Sequence, residues 1–265
     1  LRYDAILIDE GQDFSDDMYR VVAGLLNPAT DNLTVAIDPT QGIYPGKGVG
    51  IVKKGKVHHI TRVYRNTREI TAFVAAFMGE ERTEKKVDEG GGLFPALFES
   101  HGPRPSIKGL SSEARMIEYV ADTVESLVRN DGFPSSEIAI LYTSKTLKTG
   151  KGEINLPEEL MAALDARGIL STWASEDYRA KKSYDITTDS VTISTIHSAK
   201  GLDYACVFLA GLDFLSEKMP EETMKNLTYV GLTRARYHLF IPHVRKTQLV
   251  ERLLRAMQVE RVKLS

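Results

Sequence analysis

Cysteine is almost missing from this sequence. One residue, Cys206, occurs in 265, which excludes an internal disulfide and leaves no ligand framework for zinc. A reducing, cytoplasmic setting fits that usage. Charge of one sign is lacking too: 34 Lys and Arg stand against 36 Asp and Glu, a formal net charge of −2. A protein that grips nucleic acid by bulk positive charge is more basic than this. Any such binding must come from a local groove or from stacking. No apolar run reaches the roughly 18 residues of a membrane-spanning helix, and no signal-peptide pattern opens the chain, so no membrane partner is expected. Tryptophan occurs once, at Trp173.

What is present is ordinary globular material. Hydrophobic residues make up 42% and charged residues 26%, which argues against disorder. The length suits one large or two small domains. The chain opens at Leu1, not Met, and enters an apolar strand almost at once. Natural domains rarely begin in mid-core, so a piece of a longer protein is expected.

Short apolar runs alternate with helical periodicity. Tyr3 to Ile8 reads as a buried strand ending in Asp9-Glu10, and Ser15 to Leu26 as a helix behind a capping serine. Leu33–Ile37 and Val57–Val63 are further strand candidates, and Asn66–Met78 is helical. Residues 79–105 hold Gly90-Gly91-Gly92, Pro103 and Pro105 and read as a flexible excursion. A helix over Ser111–Arg129, a strand over Ile138–Tyr142 and a mobile loop over Thr143–Asn155 follow. Next come a helix over Pro157–Arg167 stopped by Gly168, strands over Val191–Ile196 and Ala205–Leu209, and a helix over Glu221–Arg236. Leu239–Ile241 is a strand and Thr247–Met257 a final helix. Alternation of this kind implies an α/β protein with parallel sheets flanked by helices, whose functional residues lie at the carboxyl ends of strands.

An acidic pair directly after a buried strand has a defined use. The strand fixes both carboxylates at the sheet edge. One can hold Mg²⁺ through water, and its neighbour can take a proton from an attacking water. Alone the signal is weak, because acidic residues often end strands merely to start a turn.

The surrounding residues add to it. Asp9-Glu10-Gly11-Gln12-Asp13 is followed by Asp38-Pro39-Thr40-Gln41-Gly42-Ile43-Tyr44 and Tyr64-Arg65-Asn66-Thr67. Later come Thr195-Ile196-His197-Ser198-Ala199-Lys200-Gly201-Leu202-Asp203 and Tyr229-Val230-Gly231-Leu232-Thr233-Arg234-Ala235. In this order they resemble motifs II to VI of the UvrD/Rep/PcrA-type superfamily 1 DNA helicases. The resemblance frames most of the chain, and the last two matches are long.

That resemblance implies a P-loop NTPase (RecA-like) fold. Residues 1–60 would be the C-terminal portion of a first motor domain and 61–265 a second. ATP and Mg²⁺ would lie in the cleft between the two. Asp9 would support the Mg²⁺, Glu10 would activate the hydrolytic water, and Gln41 would sense the γ-phosphate. Arg65 and Arg234 would reach that phosphate as arginine fingers, and Asp203 stands where the family has a glutamate that contacts the sugar. Gln12 and Asp13 would join motifs II, III and VI by hydrogen bonds. Tyr44, Thr195, His197 and Lys200 would contact DNA. The implied partners are single-stranded and duplex DNA, ATP and proteins of repair or recombination.

The sequence departs from the pattern in places. No Gly-x-x-x-x-Gly-Lys-Ser/Thr occurs in it, and that is the loop that cradles nucleotide phosphates. Gly46-Lys47 and Gly150-Lys151-Gly152 have the wrong spacing. The isolated chain is therefore expected to hydrolyse little ATP. Relatives commonly follow the Tyr44 position with Gly-Trp-Arg, where the Trp stacks on a base; here Pro45-Gly46-Lys47 stands instead. The interval from Arg65 to Thr195 leaves no room for a large inserted subdomain. Tyr178-Arg179-Ala180-Lys181-Lys182 is the best local basic patch, though a solvated loop is the simpler reading. A degenerate, non-hydrolysing binding module, a helicase–nuclease subunit and an RNA role stand as alternatives.

Overall fold

The computed structural model describes residues 1–38, 56, 58, 65–79, 100–150, 152–174, 189–215 and 219–264. The expected strand over Val57–Val63, apart from His58, and the basic patch at Tyr178–Lys182 lie outside these residues. Packing divides the chain into two compact units, Leu1–Ile60 with Pro220–Tyr229, and Thr61–Met219 with Val230–Ser265.

In the first unit, strand β1 (Ala5–Ile8) runs parallel to β2 (Asn32–Val35), from Ala5↔Asn32 to Ile8↔Val35. Helix α1 (Asp16–Leu25) makes the crossover that a parallel pair requires. Ser15 caps it by accepting the Met18 N–H at 3.3 Å. Tyr19, 1% exposed, anchors α1 by donating its hydroxyl to the Gly11 carbonyl at 2.7 Å. A Cβ on Gly11 would lie 2.4 Å from Val35 Cγ1 and 2.6 Å from the Tyr19 hydroxyl. Only glycine permits that approach.

The second unit begins with helix α2 (Arg68–Met78), strand β3 (Ser106–Gly109) and helix α3 (Glu113–Arg129). Strand β4 (Ile138–Tyr142) follows, then a hairpin of β5 (Thr146–Thr149) and β6 (Gly152–Asn155). Helix α4 (Leu156–Asp165), strands β7 (Ser171–Ala174), β8 (Val191–Thr195) and β9 (Tyr204–Ala210) come next. Helix α5 (Glu221–Leu232) spans the division between the units, and strand β10 (Ala235–His243) and helix α6 (Gln248–Leu264) close the chain.

Six strands form one sheet in the order β3-β10-β9-β4-β8-β7, and every neighbouring pair is parallel. The fold is thus the α/β class expected. Successive residues of β4 and β9 point to opposite faces, yet Ile138 to Leu141 and Val207 to Ala210 are all 0% exposed. Both faces are covered, as parallel sheets require. On one face Met116, Val120 and Val124 of α3 and Leu160 and Leu164 of α4 pack on Ile140, Ile193 and Phe208. Phe208 and Phe240 stack there with centroids 4.6 Å apart. On the other, α5 comes close: a Cβ on Gly231 would lie 3.0 Å from Leu209 and 3.1 Å from Ile196. Helices α2 and α6 pack on one another.

Five local expectations change. The loop over Thr143–Asn155 contains the antiparallel hairpin, pinned because Leu147 is 0% exposed in the core. The helix expected to reach Arg236 ends at Leu232. Strand pairing wins there, since the Tyr204 N–H donates to the Arg234 carbonyl at 3.0 Å and Ala235 pairs with Tyr204. Strand β10 is longer than Leu239–Ile241, and β3 and β7 were not anticipated.

Candidate functional site

Strand β1 delivers Asp9 and Glu10 at its carboxyl end. Glu10 has φ 52° and ψ 41°, a left-handed conformation uncommon for residues other than glycine. Such strain costs about 1–3 kcal/mol and persists only where surroundings enforce it. Here the Glu10 N–H donates to Asp9 Oδ1 at 2.9 Å, and the Asp13 N–H to the Glu10 carbonyl at 2.9 Å. The Gly11 N–H donates to the Ala36 carbonyl at 2.8 Å. Gln12, 4% exposed, donates its side-chain amide to Glu10 Oε2, while its Oε1 accepts the Asp38 N–H at 2.9 Å. One buried amide therefore ties the Glu10 carboxylate to the start of the Asp38 motif. Asp9 is exposed beside it. Among the described residues no three His, Cys, Asp or Glu side chains gather into a metal cage. A single carboxylate still fits Mg²⁺, which keeps several waters and is completed by substrate phosphates.

In the second unit Arg65, Asp203 and Arg234 come together before the amino ends of β9 and β10. Arg65 Nε lies 2.9 Å from Asp203 Oδ2. Arg236 Nε lies 3.4 Å from Asp203 Oδ1, and its Nη2 pairs with Glu137 Oε2. Glu137 Oε2 also accepts the Ala205 N–H at 3.2 Å. Asn66 Nδ2 donates to the Thr233 and Ala235 carbonyls at 3.1 and 2.6 Å, which fixes Arg65 against the motif that holds Arg234.

Arg234 itself is 1% exposed. Its Nε donates to the Val230 carbonyl at 2.9 Å, Nη1 to the Leu202 carbonyl at 3.1 Å and Nη2 to Thr233 Oγ1 at 3.0 Å. The guanidinium staples α5 to the segment leading into β9. A buried charge needs such donors and acceptors around it.

The carboxyl end of β8 carries Thr195, His197 and Lys200 in a tight loop. Thr195 Oγ1 accepts the Ser198 N–H at 3.0 Å, and the Ala199 N–H donates to the Thr195 carbonyl at 3.1 Å. The Lys200 N–H reaches the His197 carbonyl at 3.2 Å. All three side chains are half-buried. The loop is registered on β4, because the Ile196 N–H donates to the Tyr142 carbonyl at 3.0 Å.

Gln41 and Tyr44 lie outside the described residues. Asp9 and Glu10 belong to the first unit, and Arg65, Asp203, Arg234, Thr195, His197 and Lys200 to the second. Sequence reasoning missed Arg236 and Glu137. Glu137 sits in a 3-10 turn ahead of β4 and reads as an ordinary turn residue. The one available signal for Arg236 was its place two residues after Arg234.

Residues 167–246 match the family model of the UvrD-like helicase C-terminal domain. The ATP-dependent DNA helicase UvrD2 of Mycobacterium tuberculosis H37Rv is 25% identical over 333 residues, covering 90% of this chain and 47% of that protein. DNA helicase II of Rickettsia typhi is 26% identical over 221 residues, covering 77% of this chain and 30% of that protein. The chain thus spans about half the length, or less, of these curated relatives. A crystal structure of the C-terminal domain of a possible DNA helicase from Lactobacillus plantarum WCFS1 superposes with a TM-score of 0.48 at 20% identity, covering 74% of this chain and 97% of that one. Residues 167–246 are thus similar to the UvrD-like helicase C-terminal domain, and the wider chain is similar to UvrD-type DNA helicases.

Proposed function

We propose that the chain is the C-terminal part of an ATP-driven DNA helicase or translocase. ATP hydrolysis between residues 1–60, from a first motor domain, and residues 61–265, a second, would move single-stranded DNA. The observation that carries this reading is the Arg65–Asp203 pair at 2.9 Å, with Arg234 bonded to the adjoining Leu202 carbonyl. Three segments far apart in sequence converge on one charged cluster, two carrying the arginine that the resemblance requires and one carrying Asp203 in place of the family's glutamate.

In this mechanism Asp9 would hold Mg²⁺, which would supply neutralisation of the phosphate charge. Glu10, oriented by Gln12, accepts the proton of the attacking water. Gln41 would sense the γ-phosphate, as the resemblance implies. Arg65 and Arg234 stabilise the charge that builds on its equatorial oxygens, and Asp203 meets the sugar. Thr195, His197, Lys200 and Tyr44 hold the DNA strand. The phosphates are cradled by a P-loop that these 265 residues do not contain.

The test is ATP hydrolysis by a polypeptide that carries this chain together with a phosphate-binding loop. Single-stranded DNA should stimulate it, and Glu10→Gln should lower kcat by about 100-fold or more. Undiminished hydrolysis in Glu10→Gln removes the assigned base.

A second reading, a non-hydrolysing binding module, draws on the burial of Arg234, whose guanidinium is committed to Val230, Leu202 and Thr233. It predicts no DNA-stimulated hydrolysis in that same polypeptide.

A further inference from the structure

Trp173 is the single tryptophan of the chain. It sits on β7, the edge strand of the six-stranded sheet, and is half-buried. Its indole Nε1–H donates to the Tyr142 hydroxyl at 2.7 Å. Tyr142 is 3% exposed, so this bond fixes the plane of the indole. Lys145, an exposed residue, places its ammonium 4.7 Å from the indole centroid.

Position gives these three side chains a context. Strands β4, β7 and β8 are parallel, so their carboxyl ends share one edge. Tyr142 is the last residue of β4, and its carbonyl accepts the Ile196 N–H of the loop bearing His197 and Lys200. A hydrogen-bonded aromatic plane with an exposed lysine's ammonium over it therefore stands at the sheet edge where ligands bind in such folds. Its placement is fixed relative to the loop already read as a DNA contact.

We propose that Trp173 is a base-stacking platform for single-stranded DNA and that Lys145 is its displaceable cover. The exchange is favourable by magnitude. A lysine over an exposed ring contributes about 0.5–1 kcal/mol. A base stacked on an aromatic ring contributes about 1–3 kcal/mol. The displaced ammonium then meets a backbone phosphate and releases a counterion. A protein with a formal net charge of −2 has to draw its grip from such local contacts. The inference deepens the DNA-binding part of the proposed function and rests on it.

The lone tryptophan makes the test direct, using this chain and oligothymidylate. Binding is read by anisotropy of a labelled oligomer, and stacking by intrinsic emission. Binding should quench Trp173 emission saturably, with the same midpoint as the anisotropy. Trp173→Leu should weaken affinity about tenfold, while Trp173→Phe, which keeps a ring, stays within about threefold of the wild type. Lys145→Gln should reduce the slope of log affinity against log salt by about 0.7. Binding without quenching, or an unchanged affinity in a folded Trp173→Leu variant, overturns the platform and leaves the helicase reading standing. No binding by the wild-type chain overturns the platform as well, and the hydrolysis test then decides the helicase reading separately.

Discussion

At the scale of single residues, burial decides the chemistry. Cys206 is 0% exposed on β9, and burial pushes its thiol up to about 12, with Glu137 and Asp131 adding to the shift and Arg236 opposing it. The thiolate is the reactive form. A disulfide reagent at about pH 8 should therefore leave the native protein untouched and titrate one thiol after denaturation; rapid labelling of the folded chain would contradict this placement. That Cys206 is a small core residue was legible from its apolar neighbours Ala205 to Ala210. The surroundings of Arg234 were not. Taken alone, an arginine inside the helix expected over Glu221–Arg236 reads as part of a solvated face, and its acceptors at Leu202 and Val230 depend on how β9 and β10 pair.

Among elements, β10 carries an aromatic stack that includes one titratable ring, His238. His238 lies parallel to Phe240 with centroids 5.6 Å apart, and meets Phe133 at 5.5 Å and Tyr237 at 5.0 Å edge-on. Burial lowers its pKa from the ordinary value, and Asp131 opposes that shift. The folded state prefers the neutral imidazole, so the unfolded chain binds more protons in the window below the ordinary pKa of about 6.5. The stability from this group is present above about 6.5 and is lost as pH falls below it. Urea midpoints should fall between about pH 7.5 and 5.5, and His238→Phe should flatten that part of the profile. An unchanged slope in the variant would contradict it. Elements with continuous apolar runs, β4 and β9, were readable because both their faces are buried, and β8 because its β-branched residues favour a strand. Strands β3 and β7 lie at the sheet edges and mix polar residues with few apolar ones, none of them fully buried. Periodicity cannot pick out so short a run, and the β5–β6 hairpin hides behind a single inward leucine, Leu147.

For the whole molecule, the α/β class followed from alternation alone, and the resemblance to UvrD-type helicases from motifs in order. The charged cluster was legible only as separate arginines and a carboxylate. Its extension through Arg236 to Glu137 joins residues 99 positions apart and leaves no mark in local sequence. The central claim is that Arg65 acts on the nucleotide from the Asp203 cluster. Single-turnover ATP hydrolysis by a polypeptide carrying this chain and a phosphate-binding loop, wild type against Arg65→Ala, tests it most directly. Arg65 is partly exposed and packs into no core, so thermal stability should hold while the hydrolysis rate falls about 1,000-fold, as arginine-finger losses do. A rate within about twofold of the wild type, in a folded variant saturated with ATP, would contradict the account.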